Sequence, residues 1–229
     1  MKILAPDSRY LCRVEIGCVV PDPSGTHTCW NMFGYGCMVH PKVVLTSNAV
    51  WQAAEKAMHR RGEVLVRIGQ TGYACNLGYQ DCERNLVALV LAQPAKDADG
   101  KPFESFPTVA EEPPHPCQTL GTLVNQSLYS QNNDPLIPVE YLCFVTGSVS
   151  LLLGKGESLF GLCGLEAKYA HFGNAVFDEA GAIYGVATDF LNTSPVGGSF
   201  GGAQKGILVF TPVYTMAKEA KRLALKDAE

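Results

Sequence analysis

The stretch CMVHPKVVLTSNAV, residues 37–50, contains the pattern on which the fold assignment depends. Its centre, residues 43–46, is a short run of valine, leucine and threonine that follows a turn-forming proline and lysine. Runs of this length, rich in β-branched residues and bounded by turn signals, are typical of buried β-strands. We therefore interpret residues 43–46 as a strand, with His40 at the turn that precedes it.

Runs of the same kind recur on both sides of this segment, separated by glycine, proline, asparagine and aspartate. Together with the run at 43–46, they lie at residues 11–16, 64–68, 86–91, 142–146, 175–177, 182–187 and 207–210. Their number and spacing predict an all-β sandwich or barrel. Helical patterns are present at residues 51–61 and at the end of the chain. In the second, Thr211 can cap the helix, Pro212 suits its first turn, and small apolar residues recur at helical spacing.

A proline-rich segment divides the predicted strands into two groups. Residues 102–116 contain the run EEPPHP, and such proline density is incompatible with a central strand. We therefore predict an N-terminal β-barrel at 1–101, a connector at 102–116, and a C-terminal barrel with its helix at 117–229. The polar run QSLYSQNND (126–134) and the glycine-rich run GGSFGG (197–202) are predicted to be loops.

Composition excludes several classes of function. The 229 residues include 18 basic and 22 acidic side chains, a net charge of −4, with 47% hydrophobic residues. This predicts a globular protein, and the acidic balance argues against a nucleic-acid partner. No apolar stretch approaches the ~20 residues that span a bilayer, so we expect no membrane insertion. No CxxC pair and no phosphate-loop spacing occurs, so no metal or cofactor is expected.

Several segments resemble those of the chymotrypsin-like serine proteases, in the same order along the chain. Residues 37–50 are similar to the family segment that ends in Leu-Thr-Ala-Ala-His-Cys, and 84–91 to Asn-Asp-Ile-Ala-Leu-Leu-Lys-Leu. Residues 142–147 resemble the family's Cys-Tyr-Val-Thr-Gly, 173–177 its Gly-Gly-Pro-Leu-Val, and 209–213 its Val-Tyr-Thr-Arg-Val. The resemblance implies two antiparallel six-stranded β-barrels followed by a C-terminal α-helix.

The resemblance extends to the catalytic positions, but the catalytic residues are replaced. It places Ala49 at the family's histidine, Asn85 at its aspartate and Phe172 at its serine nucleophile. Because none of these side chains can supply the base, the orienting charge or the nucleophile, we predict a pseudoprotease with no enzymatic activity. The function that remains is binding, so we expect a regulatory or structural subunit with protein partners in a larger complex.

The substrate pocket of the family is also altered. Matching the same segments places Glu166, Thr188 and Phe190 at pocket-equivalent positions, with Phe190 where a glycine keeps the mouth open. His171 replaces the aspartate that pairs with the activated N-terminus of active members. We therefore expect an occluded cleft. Binding is expected instead at the two predicted loops and on the basic face of the terminal helix, whose cations are Lys218, Lys221, Arg222 and Lys226.

The nine cysteines lack the partners that the family's disulfides require. The bridge around the histidine loop would join Gly34 and Val50, and the partner position of Cys143 is Asp178. We therefore expect free thiols and an intracellular, cytoplasmic location. Residues 1–5 are also too short for the apolar region of a signal peptide. The alternative is a secreted protein with its leader removed, which glycosylation acceptors at Asn125 and Asn192 would fit.

A second function remains open from the sequence, that of an active cysteine protease of the same fold. Cys163 lies in the motif GLCG, which is similar to the nucleophile loop of viral cysteine proteases, with His40, His59 or His171 as base. Against it, Cys163 lies nine residues before Phe172. A buried cysteine that acts as a small hydrophobic residue is the favoured interpretation.

Overall fold

The computed structural model describes residues 11–21, 24, 28–58, 63–97, 99–128, 139–153, 158–166, 172–192 and 205–225. The first six strands are β1 (Val14–Pro21), β2 (Thr28–His40), β3 (Val43–Ser47), β4 (Glu63–Ile68), β5 (Thr71–Asp81) and β6 (Leu86–Leu91). They form a closed barrel in the order β1-β2-β3-β6-β5-β4. Helix α1 (Asn48–Met58) connects β3 to β4.

The next six strands form a second closed barrel, in the order β10-β11-β12-β9-β8-β7. They are β7 (Thr119–Leu128), β8 (Val139–Leu153), β9 (Ser158–Glu166), β10 (Ala175–Phe177), β11 (Ile183–Asn192) and β12 (Lys205–Pro212). A 3₁₀ turn (Tyr214–Met216) and helix α2 (Ala217–Leu225) follow. All strand pairs are antiparallel, which confirms the predicted all-β fold of two six-stranded barrels with a C-terminal helix.

Both helices begin at residues other than those predicted. Helix α1 begins at Asn48 because Ser47 acts as its cap, its Oγ accepting the backbone N–H of Val50 at 3.4 Å. The prediction that Thr211 and Pro212 begin the terminal helix is wrong. Both residues belong to β12, where Thr211 pairs with Val186, so the chain turns into α2 only afterwards.

The hydrophobic core has three parts, and the one between the barrels positions the site. Each barrel is filled by its own apolar residues, including Leu89 in the first and Leu162 in the second. The third part, the inter-barrel core, contains Phe177, Ile183 and residues of α2. Phe177 is fully buried and stacks on Phe144 with ring centroids 5.0 Å apart. The two barrels are therefore joined by packed side chains as well as by the chain itself.

The segment between the barrels, residues 102–116, runs along this inter-barrel core. Ile183 holds it from both sides, since its N–H donates to the carbonyl of Thr108 and its carbonyl accepts the N–H of Ala110. Val109 and Ile183 form a short parallel bridge. Within the described ranges, no helix is long and apolar enough to cross a membrane.

Candidate functional site

Two of the three triad-equivalent positions lie next to each other at the start of α1. Ala49 is an exposed residue in the first turn of that helix. The preceding residue, Asn48, donates its backbone N–H to the carbonyl of Asn85 at 3.1 Å, and its side-chain oxygen accepts a hydrogen bond from Gln80 at 2.6 Å. These bonds fix the loop that carries Asn85 against the helix that carries Ala49.

A tight turn between β5 and β6 sets the backbone of Asn85. The Asp81 carboxylate accepts the backbone N–H of Arg84 at 3.0 Å and its guanidinium at 2.9 Å. Burial alone would raise the pKa of Asp81, but these hydrogen bonds outweigh burial and lower it. The next residue, Asn85, has a φ of +57°, a left-handed conformation that asparagine tolerates better than most residues.

The third position, Phe172, is held to the first barrel through its backbone. Its carbonyl accepts the N–H of Tyr35 at 2.9 Å. Gly173 follows with a φ of +85°, and a Cβ there would lie 1.7 Å from the carbonyl oxygen of Tyr35. That same oxygen accepts the Thr46 hydroxyl at 2.6 Å. Only a glycine fits at residue 173, because the two backbones are in direct contact.

All three positions meet at the junction of the barrels. A Cβ added at Gly34 would lie 2.5 Å from Cγ2 of Val50 and 2.8 Å from the carbonyl oxygen of Phe172. Gly34 lies on β2, the strand whose Tyr35 binds the Phe172 carbonyl. Because Val50 follows Ala49 in α1, β2 also contacts the first turn of that helix. Asn85 is thus linked to the first turn of α1 through Asn48, and Phe172 is linked to it through Gly34 and Val50.

Phe172 presents much of its ring to solvent. Its exposed fraction is 46%, the second highest among the exposed large hydrophobic side chains described, after Leu225. Its backbone, by contrast, is fixed through Tyr35 and Gly173. The site thus combines a rigid main chain with an accessible aromatic surface.

The pocket-equivalent positions lie on the strands of the second barrel. Thr188 is buried at the irregularity where the β11–β12 register shifts. The Phe190 ring covers the backbone of Gly206, since a Cβ added to Gly206 would lie 2.0 Å from Cζ of Phe190. The ring also packs against the core of the second barrel. Glu166 ends β9, where its backbone pairs with Lys205, and its side chain lies outside the described residues.

Sequence reasoning missed a pair of residues that supports the Phe172 backbone from behind. The Arg13 guanidinium donates to the Tyr35 hydroxyl at 2.6 Å and lies 4.5 Å from the centre of its ring. Tyr35 is buried, although it alternates with residues that face the barrel interior. The Arg13 guanidinium covers its ring, and its backbone meets Phe172 of the second barrel, so strand periodicity gave no signal for its burial.

Cys163 has no imidazole partner among the described residues around it. Its Sγ lies 3.2 Å from the Ser150 hydroxyl, and its backbone pairs with Ser148 and Ile207. His40 ends β2 in the other barrel, and its Nδ1 accepts the N–H of Lys42. The two other proposed bases, His59 and His171, lie outside the described residues.

The other described cysteines have free thiols. The side chain of Cys143 lies outside the described residues. Four of the described cysteines, Cys12, Cys18, Cys37 and Cys75, are shielded from solvent in the first barrel or between the barrels. Burial raises the pKa of Cys12 to about 12 and that of Cys75 to about 11, and raises the pKa of Cys37 well above its usual value. These thiols stay protonated near neutral pH and are poor nucleophiles. The described part of the chain contains no cluster of three histidine, cysteine or acidic side chains able to hold a metal.

The surfaces predicted to bind partners are only partly described. The prediction of a loop at 126–134 is wrong for its first three residues, which pair with β8 as the end of β7, while 129–134 and 197–202 lie outside the described residues. On α2, Lys221 pairs with Glu111, and Arg222 pairs with Glu219. Acidic neighbours therefore offset much of the positive charge of this helix face; Lys226 is not described.

Comparison with known proteins supports the fold and leaves the chemistry open. No protein-family model and no curated sequence matches the chain. Among solved structures, kallikrein-related peptidase 10 aligns with a TM-score of 0.57 at 14% identity, covering 97% of this chain and 98% of the peptidase. The complex of the same peptidase with Zn²⁺ aligns with a TM-score of 0.58 at 12% identity, covering 97% of this chain and 98% of the peptidase.

An HtrA-type protease, AlgW with a decapeptide, aligns with a TM-score of 0.60 at 14% identity. The alignment covers 95% of this chain and 65% of AlgW. Both kinds of neighbour are chymotrypsin-like serine proteases. At such low identity the likeness establishes the two-barrel fold alone, because unrelated functions share common folds.

Proposed function

We propose that this protein is a non-catalytic homologue of the chymotrypsin-like serine proteases that acts by binding protein partners, as a regulatory or structural subunit. The observation that carries the proposal is the meeting of Ala49, Asn85 and Phe172 at the barrel junction. Acyl transfer needs a nucleophile and a proton acceptor within hydrogen-bonding distance of each other. A methyl group, a carboxamide and a phenyl ring provide neither.

The polar groups around these positions are engaged in holding the fold. Thr46 donates to the Tyr35 carbonyl, the Ser47 hydroxyl caps α1, and Asn48 bonds both Asn85 and Gln80. A hydroxyl committed to a structural hydrogen bond and lacking a basic neighbour is a weak nucleophile. The junction therefore serves as a rigid support, which suits recognition better than turnover.

The partner-binding surface that the described residues favour is the exposed ring of Phe172. Binding energy at protein interfaces is concentrated in a few residues, often aromatic, on well-ordered supports. Phe172 fits because its main chain is pinned to Tyr35 while its ring is 46% exposed. This differs from the sequence-based expectation, which assigned binding to residues 126–134, to residues 197–202 and to the basic face of the terminal helix.

Activity-based labelling tests the absence of catalysis. We expect no labelling of the native protein by a fluorophosphonate probe, because the serine position is a phenylalanine, and no cleavage of peptide substrates. An iodoacetamide probe at limiting dose should label exposed thiols such as Cys29 and Cys82 at least as fast as Cys163. Rapid stoichiometric labelling of Cys163 that abolishes a measurable peptidase activity would contradict the proposal and favour the cysteine protease.

Affinity purification from the natural source tests the binding role. We expect the protein to elute within a larger complex, and Phe172→Ala to lower recovery of its partners about tenfold without lowering the thermal midpoint by more than a few degrees. The matched control is Leu151→Ala, which removes a side chain of similar exposure, 43%, from strand β8. Elution as a free monomer, or equal loss with both variants, would refute the proposed surface.

A further inference from the structure

A second concave surface lies away from the triad-equivalent positions, and the proposed function does not use it. It is a crevice of about 270 Å³ bounded by the end of β2, residues 107–111 of the connector, and helix α2. We call it the helix crevice. Its volume is near the lower end of the roughly 300–1,000 Å³ typical of small-molecule pockets. It has room for one large side chain or a small metabolite.

The apolar interior of the helix crevice is preformed. Val39 lines it from a β-bulge, where the β2–β3 register shifts between Met38 and His40. Bulges reorient side chains relative to a regular strand. On the opposite side, Ala217 and Ala220 are both buried, Ala220 within the inter-barrel core, and their small side chains leave the space open.

The connector wall is held equally firmly. Thr108 and Val109 line the crevice, and the hydrogen bonds to Ile183, 2.7 Å from its N–H to the Thr108 carbonyl and 2.8 Å from the Ala110 N–H to its carbonyl, fix both residues. All three walls therefore belong to elements anchored in the inter-barrel core. A ligand would not need to order them, which lowers the entropic cost of binding.

One positive and one negative charge stand together among the lining residues. Lys221 Nζ lies 3.1 Å from a carboxylate oxygen of Glu111, and the two side chains are 72% and 76% exposed. Such exposed ion pairs contribute little to folding stability, so a ligand can separate them at small cost. A ligand that pairs with both side chains must itself carry a cationic group and an anionic group close together.

We propose that the helix crevice binds a free α-amino acid with an apolar side chain. The ligand carboxylate pairs with Lys221, its ammonium group pairs with Glu111, and its side chain enters the space between Val39, Val109 and Ala220. Lys221 thus exchanges the Glu111 carboxylate for the ligand carboxylate, and Glu111 exchanges the lysine ammonium for the ligand ammonium. Binding also removes apolar surface of the ligand side chain from water.

Titration of the full-length protein with L-leucine and L-phenylalanine, followed by isothermal calorimetry and by amide chemical shifts, tests this assignment. We expect saturable binding with a dissociation constant in the millimolar range or below. L-leucine amide lacks the carboxylate and N-acetyl-L-leucine lacks the ammonium group, so each loses one exposed ion pair and should bind about two- to fivefold more weakly. Glycine, which has no side chain to bury, should not saturate the site.

Paired variants separate this site from general charge effects. Glu111→Gln with Lys221→Gln removes both charges and should weaken L-leucine binding at least about fourfold, since two exposed ion pairs are lost. The control, Glu112→Gln with Lys218→Gln, makes the same changes at exposed residues that do not line the crevice and should leave binding unchanged. A lack of saturable binding, equal affinity for the amide or acetyl analogue, or equal weakening in both double variants would overturn the proposal.

Discussion

Replacing Gly173 by alanine should destabilise the protein by about 3 kcal/mol or more, a large effect for a single added methyl group. Two costs add at this position. The backbone φ of +85° is unfavourable for any residue with a Cβ, by roughly 1–2 kcal/mol. In addition, the new Cβ would lie 1.7 Å from the Tyr35 carbonyl oxygen, so one of the two backbones must move. The measurement is urea denaturation of the variant and the native protein.

Gly100 provides the matched control for this experiment. It has a φ of +78°, close to that of Gly173, but a Cβ there would meet nothing within 4 Å. Gly100→Ala should therefore cost only the conformational part, about 1 kcal/mol. If the two variants lose equal stability, the contact between Tyr35 and Gly173 is not as close as the structure has it.

This contact also determines where the triad-equivalent positions lie relative to one another. The hydrogen bond from Tyr35 to Phe172, and the bond from Gly173 N–H to the Ala187 carbonyl at 2.8 Å, connect β2 with β11 through residues 172 and 173. Moving this segment would separate Phe172 from Val50 and α1. Gly173→Ala is consequently expected to weaken partner binding beyond its effect on the folded fraction.

Local patterns predicted the all-β class, and the resemblance to the chymotrypsin-like proteases implied the two barrels. Runs such as 43–46 and 86–91 are apolar, and both became buried strands that pair with each other. Helix ends were predicted less well because competing local signals were present. Thr211 and Pro212 resemble a helix start, yet cross-strand hydrogen bonds with β11 keep both residues in β12.

The candidate positions were assigned differently, by matching three motifs along the chain, and that assignment stays a prediction. Their convergence on one junction follows from the two-barrel topology. The Arg13–Tyr35 pair and the helix crevice could not be predicted, because each depends on contacts between distant segments. Arg13 meets Tyr35 across 22 residues of sequence, and Glu111 meets Lys221 across 110.

Restoring the three family residues should not restore a protease. We expect the triple variant Ala49→His, Asn85→Asp, Phe172→Ser to remain at least about 10⁴-fold below a trypsin-like kcat/KM on fluorogenic peptide substrates. Catalytic groups act as a unit and require positions within about 0.5 Å of the productive geometry. The expected readouts are absent turnover and absent fluorophosphonate labelling in a variant whose circular dichroism matches that of the native protein.

The physical reason lies in what surrounds the three positions. A histidine at residue 49 would stand exposed in the first turn of α1, where the positive end of the helix dipole disfavours an imidazolium ion. A serine at residue 172 would follow a histidine, His171, at the position where the resemblance places the aspartate that orders the active site of the proteases. Because electrostatic preorganisation supplies much of enzymatic rate enhancement, the side chains alone are insufficient. Activity within tenfold of trypsin would instead mean that the barrel junction is already organised for catalysis, and that only the three substitutions separate this protein from an active protease.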